Sequence, residues 1–516
     1  MKYSIKRVND MTIDELIGQV IMVGLPGFEL DDLYKKFIKD YKIGNYILFA
    51  RNYDNSKQMK KLMKDVYNYT LDVTGSYPLV SIDQEGGMVV RLFQDVTFPA
   101  SPLTTSATSV ADAPYKTGLI IGKDMLKHGI NLNLAPCLEI NEDLANPLVN
   151  VRGYGATKEI VLKNAKAFVK GIRESNALSC IKHYPGSGSG TKDSHLELPI
   201  IDDPKEKLLN YNMYPFFHIL ESDALMTSHC LYTSFDEMPS TVSHVLLHDV
   251  LRKDIGFEGL IISDGMEMKA ITDTFGLGKG CVMALNAGCD ILLLCHDYEE
   301  QLVAFKAVKK AVEEGIISVE SLKEKVVRIN KAKEKAMVGL KEYFTEVDYE
   351  VIEEEHNLMQ DIVDNSFTLI KGKAPYLTNK TLIISSNARI GSIVEDEFDD
   401  RNLTNALKNN FPENKVIKFT RDIDFTSNIM SIVDEYDNII VYSYDAYIDS
   451  VQKETINALL KTNKEVFVVS LKGPIDRFYF ENLTNYSCLY EYTPNSIRTI
   501  VKQLKESMSL NGHLPM

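Results

Sequence analysis

Residues 181–195 read IKHYPGSGSGTKDSH, which sets Lys182 and His183 at one end of a glycine- and serine-rich stretch and Asp193, Ser194 and His195 at the other. Residues 178–183 have the apolar character of a short buried strand, Pro185 stops it, and Gly186, Gly188 and Gly190 alternating with Ser187 and Ser189 favour a mobile loop. A carboxylate two residues from an imidazole can hold the ring's tautomer and stabilise its protonated form, so Asp193 and His195 form a candidate general acid/base dyad. A lone histidine is most often a solvated turn residue. This one follows a strand end, where α/β enzymes keep their chemistry. The second candidate is Asp264 in LIISDGMEM, a carboxylate at the end of another apolar run and a possible nucleophile. Its bland reading is a cap for the helix expected at MEMKAI, because Asp is a favoured N-cap. One carboxylate and one imidazole over the same site can perform double displacement on an acetal. The carboxylate attacks the anomeric carbon and the imidazolium protonates the leaving oxygen, in place of the two carboxylates most glycosidases use.

The elements that must hold these groups are legible as apolar runs of strand length. Eight occur at 19–24, 45–50, 78–83, 131–136, 178–183, 224–229, 259–264 and 290–295, separated by helical patterns. Runs that are apolar on both faces suit parallel strands covered by helices, and eight βα units in about 300 residues is the count of a (β/α)8 barrel. An open doubly wound sheet would also alternate β with α. The barrel is favoured because Asp83, Lys182, His183, His229, Asp264 and His296 all fall at C-terminal strand ends, the catalytic face of a barrel. From about residue 313 to 364 the pattern turns helical and charged, as solvated helix faces do. Five further runs, at 381–385, 415–419, 438–443, 465–471 and 488–492, indicate a second, smaller domain. The expected fold is thus α/β: an N-terminal (β/α)8 TIM-type barrel over 1–340, a helical connection over 341–372, and an α/β sandwich domain with a mainly parallel sheet over 373–516. That second domain lacks a Gly-x-Gly-x-x-Gly turn after its first strand, which argues against dinucleotide binding.

Bulk properties narrow the partners. A chain of 516 residues, with a formal charge of -15, is large enough for several cores and is not expected to bind nucleic acid. Its seven cysteines show no paired spacing, and Cys180, Cys281, Cys289 and Cys295 lie in apolar segments, as reduced thiols do. The N-terminal MKYSIKRVNDMTIDEL carries charges where an export signal needs an apolar core, and no apolar run reaches about 18 residues. The expectation is a cytoplasmic protein with no membrane partner. His229 and His296 have no His-x-x-x-His relation, so no metal site is expected.

Five segments together resemble glycoside hydrolase family 3, specifically its two-domain β-N-acetylhexosaminidase branch. IDQEGGMVVRL (82–92) resembles a family segment that implies sugar-hydroxyl contacts from Asp83 and Arg91, and NVRGYG (150–155) implies Arg152 near a 2-acetamido sugar. IKHYPG implies that Lys182 and His183 hydrogen-bond ring hydroxyls, DSH (193–195) matches the branch's acid/base dyad, and IISDGMEMKAI matches the nucleophile segment around Asp264. Two departures stand out. Ser187, Ser189 and Gly190 replace a His, an Asp and a Thr of the usual Pro-Gly-His-Gly-Asp-Thr, and Gly153-Tyr154 replaces Ser-Phe. The resemblance implies a retaining exo-β-N-acetylglucosaminidase acting on non-reducing GlcNAc of muropeptide or chitin-type fragments, without metal or organic cofactor and with a small carbohydrate as its partner. Three alternatives remain: a phosphorylase with the same nucleophile, a Schiff-base lyase using Lys182, and a weakly catalytic sugar-binding protein.

Overall fold

The computed structural model describes residues 4–142, 149–186, 190, 194, 196–343, 351–386 and 402–516. Eight parallel strands close a barrel: β1 (Ile21–Gly24), β2 (Asn45–Leu48), β3 (Leu79–Ile82), β4 (Leu132–Asn133), β5 (Leu178–Tyr184), β6 (Ala224–Thr227), β7 (Leu260–Gly265) and β8 (Ile291–Leu294). They follow one another around the barrel in chain order, with β1 hydrogen-bonded to β8. Each of the eight apolar runs overlaps one of them, with β5 and β7 each reaching one residue past its run. Their side chains are almost all buried, because helices cover the outside while the barrel interior fills with its own residues.

The helices start and stop where local chemistry directs. Asn55 caps Ser56–Thr74 by accepting the Gln58 N–H, and Gly75 ends that helix in the left-handed region with φ +72°. Thr157 caps Lys158–Glu174 in the same way. The charged stretch after β8 forms the long helix Val319–Tyr343, and Glu353–Asp364 is a second helix.

The second sheet has six strands: β9 (Thr368–Lys371), β10 (Thr381–Ser385), β11 (Lys415–Lys418), β12 (Asn438–Ser443), β13 (Glu465–Ser470) and β14 (Asn485–Cys488). Their spatial order is β9-β14-β13-β12-β10-β11, parallel throughout except for the antiparallel β9–β14 edge. Two expectations are corrected. The 341–372 segment, expected as a helical connection, also contains β9, an edge strand that is half exposed and therefore lacks a continuous apolar signal. The last strand lies at Asn485–Cys488 rather than 488–492, because Leu489, Tyr490 and Tyr492 are buried in the core between the sheet and barrel loops rather than in a ladder.

Candidate active site

At the C-terminal ends of the barrel strands is a cavity of about 430 Å3. Its walls carry Asp83, Arg91, Arg152, Lys182, His183 and Asp264, six of the eight residues singled out from sequence. Asp193 and His195 lie outside the described residues. Ser194, between them in sequence, lines the cavity, and its carbonyl accepts the Ala270 N–H at 3.3 Å, just beyond the Asp264 segment.

Beyond β3 the chain turns sharply. The Glu85 N–H donates to the Val89 carbonyl at 3.0 Å, and Gly86 takes φ +105° where an added Cβ would lie 2.2 Å from the Ala100 carbonyl oxygen. Gln84 locks this turn: its Oε1 accepts the N–H groups of Arg91 and Leu92 at 2.8 and 3.2 Å. Arg91 is thereby folded back over Asp83, with a guanidinium nitrogen 3.9 Å from Asp83 Oδ2.

Below it, three elements meet in a buried charge network. Lys182, on β5, places its ammonium 2.6 Å from Asp83 Oδ1 and 2.8 Å from Glu85 Oε1. Arg152 grips Glu85 with two bonds, Nε to Oε2 at 2.9 Å and a terminal nitrogen to Oε1 at 2.8 Å. Burial alone would raise the Glu85 pKa, but Arg152 and Lys182 outweigh it and hold the carboxyl well below the usual carboxylate range. Burial would likewise lower the pKa of Lys182; Asp83 and Glu85 reverse that and keep the ammonium charged. A lysine held in this state is a hydrogen-bond donor, and the free amine a Schiff base requires is disfavoured. His183, the next residue, turns its Nδ1 to Glu139 Oε1 at 2.7 Å, and the same oxygen accepts its backbone N–H at 2.9 Å.

Asp264 belongs to β7, which continues to Gly265. The following helix, Lys269–Phe275, has Met268 at its N-cap position, so Asp264 does not cap it. Its Oδ1 accepts the Gly265 N–H at 2.8 Å. His229 is fully buried beneath this strand end, and its Nε2 sits 2.9 Å from the Gly265 carbonyl, to which only an N–H can bond. It braces the residue beside Asp264. Glu267, three residues further on, also lines the cavity; its Oε1 accepts the Cys295 N–H at 2.5 Å and burial pushes its carboxyl up to about 7.

Sequence reasoning missed Glu85, Glu139 and Glu267. Glu85 was visible inside IDQEGG, and Glu139 lies just past β4 in the same kind of place as the residues that were chosen. Phe49 and His296 also line the cavity, their rings tilted at 35° with centroids 5.0 Å apart, and Arg51 ties them to the barrel by donating to the Cys295 carbonyl at 2.6 Å. An apolar ring beside a few placed polar groups is the ordinary construction of a small-molecule pocket.

Residues 12–332 match the model of the glycosyl hydrolase family 3 N-terminal domain. The chain belongs to glycosyl hydrolase family 3. Within that family it is 30% identical over 289 residues to a β-hexosaminidase of Photobacterium profundum, spanning 55% of this chain and 84% of that one. A family 3 β-N-acetylglucosaminidase from Paenibacillus sp. superposes with a TM-score of 0.91 at 30% identity, covering 98% of both chains, second domain included. A fungal multi-domain family 3 β-N-acetylglucosaminidase superposes with a TM-score of 0.87 at 26% identity over 98% of this chain and 60% of its own. The family's barrel and sandwich pairing is thus the architecture of this chain.

Proposed function

We propose that the protein is a retaining exo-β-N-acetylglucosaminidase that removes non-reducing terminal GlcNAc from muropeptide or chitin-type oligosaccharides. The observation that carries this reading is the Asp264 carboxylate at a barrel strand end, in one cavity with Asp83, Arg91, Arg152, Lys182 and His183. The relatives named β-N-acetylglucosaminidase, which superpose over both domains of this chain, support it. In this mechanism Asp264 attacks the anomeric carbon to form a glycosyl-enzyme. His195, oriented by Asp193, protonates the departing oxygen and then takes a proton from the incoming water.

The remaining residues hold the sugar. Arg152–Glu85 and Lys182–Asp83 are paired cations and carboxylates fixed before any ligand arrives, so ring hydroxyls meet oriented donors and acceptors with little reorganisation.

A panel of p-nitrophenyl glycosides, assayed with and without inorganic phosphate, tests the reading. β-GlcNAc should exceed β-glucose in kcat/KM by roughly 100-fold or more, since a site built to bond an amide loses those bonds with a hydroxyl. Product should be free sugar at all phosphate concentrations. Phosphate-dependent release of a sugar 1-phosphate would make the enzyme a phosphorylase, and equal rates on both sugars would remove the acetamido specificity.

A further inference from the structure

We propose that Cys137, Glu139 and His183 form a site for a soft divalent cation of the zinc class in the cavity wall, and that a cation there competes with the sugar. A thiol sulfur, a carboxylate oxygen and an imidazole nitrogen from these residues all lie within 4.8 Å of one another. They converge because of strand register. Past β4, Cys137 pairs with Lys182 on β5: the Lys182 N–H donates to the Pro136 carbonyl at 3.0 Å and the Leu138 N–H to the Lys182 carbonyl at 2.6 Å. Cys137 and Glu139, two residues apart in this extended stretch, project to the same side, and His183 follows Lys182 on the neighbouring strand.

The donor set is one zinc uses. Thiolate, imidazole and carboxylate bind at about 2.0–2.3 Å around a tetrahedral ion, which requires ligand atoms roughly 3.3–3.7 Å apart. The three atoms lie within 4.8 Å of one another, and the His183 Nδ1–Glu139 Oε1 contact of 2.7 Å must open, so binding requires the side chains to rotate into that range. Three protein ligands leave a fourth position, and Glu139 and His183 face the cavity, so that position opens toward it. Charge also balances. Binding displaces the Cys137 thiol proton to solvent, and the thiolate so formed, with the Glu139 carboxylate, neutralises a divalent ion, while the nearby Arg152 and Lys182 are already matched by Glu85 and Asp83. A harder cation such as Mg2+ would have no use for the thiolate.

Occupancy turns the His183 nitrogen and the Glu139 carboxylate onto the metal and away from a ring hydroxyl. The competition rests on the proposed sugar-binding role of His183; the binding itself does not.

The test uses the full chain freed of metal with a chelator, titrated with Co2+ and then Zn2+. The expected result is a cobalt–thiolate charge-transfer band in the near ultraviolet that saturates at one equivalent and is bleached by Zn2+. Cys137→Ser should abolish the band and weaken zinc binding by about 100-fold or more, with Cys137→Ala as the second variant should the first melt early. His244→Ala should keep the band, because the other His/Cys/Asp/Glu cluster among the described residues, His244, His248 and Asp249, has no sulfur. In kinetics, Zn2+ should raise KM for an aryl β-GlcNAc at constant kcat in the parent protein and much less in Cys137→Ser. Absence of the band, or a band that survives Cys137→Ser, overturns the site. The band without any change in KM overturns the competition. Failure of the functional reading shows separately, as no GlcNAc turnover in metal-free protein.

Discussion

Replacing Glu267 by Gln should make the protein more stable at alkaline pH, with most of that gain lost by pH 5 and nearly all of it by pH 4. Glu267 Oε1 is committed to the Cys295 N–H, while Oε2 is shielded from solvent and has no hydrogen-bond partner among the described residues. Burial, with a smaller contribution from the Glu300 charge, raises its pKa from the ordinary carboxylate value to about 7. An acid whose pKa is higher folded than unfolded binds its proton more tightly in the native state. Its contribution is therefore present at low pH and is lost as pH climbs from about 4.3 through 7. The rise from about 4.3 to about 7, at 1.36 kcal/mol per pH unit, corresponds to about 3–4 kcal/mol between the two limits. The amide keeps the acceptor for Cys295 and cannot ionise, so the variant should escape that loss. For a barrel of roughly 330 residues, with an unfolding entropy near 2.1 cal/mol/K per residue, about 3–4 kcal/mol is a Tm difference of roughly 4–6 °C. Melting curves of both proteins from pH 4 to 9 measure it. Parallel Tm profiles, with no divergence across pH 6–8, would refute the claim that Glu267 is held protonated by its burial.

Glu85→Gln should lower stability by roughly 3–5 kcal/mol at pH 7, because it leaves the buried Arg152 and Lys182 short of one carboxylate; a Tm close to the parent's would show that water enters the network. Asp264→Asn should cut kcat on an activated aryl β-GlcNAc by about 1,000-fold or more, roughly 4 kcal/mol of barrier, with Tm preserved; near-parent activity would remove it as nucleophile. His195→Ala should slow substrates with poor leaving groups far more than dinitrophenyl glycosides, whose departure hardly needs a proton; equal slowing would make His195 a binding residue.

The barrel was readable because its strands are buried on both faces and so appear as unbroken apolar runs, several ending in a polar residue that packing alone does not call for. β9 was not, because an exposed edge strand of four residues carries no such run. The same limit applies within the site. Asp83, Lys182 and Asp264 could be chosen from their places at strand ends, but Glu85, although inside the IDQEGG segment, lies past the strand end, where its burial is not apparent. What makes it a buried centre is Arg152 and Lys182, far away in sequence, and their arrival depends on the β3–β4–β5 neighbourhood of the closed barrel. The Cys137, Glu139 and His183 group was invisible for a related reason. Its ligands come from two strands paired in register, and a search for short metal-binding spacings cannot see it.

The second domain bears on the same geometry. Met88, in the turn that folds Arg91 over Asp83, is buried in one apolar cluster with Val151, beside Arg152, and with Tyr490 and Tyr492 from beyond β14. Polar contacts reinforce this seam: the Ser101 N–H donates to Glu491 Oε2 at 2.7 Å, Asn495 Nδ2 to the Phe98 carbonyl at 3.1 Å, and the Ala156 N–H to the Pro515 carbonyl at 3.2 Å. Both loops that bring a cation to the charged end of the cavity are therefore packed against the sandwich domain. Barrel loops carry variable chemistry but are the least constrained parts of the fold. Here the sandwich domain supplies the packing that keeps Arg91 and Arg152 aligned with their carboxylates, so it acts on the site through these loops.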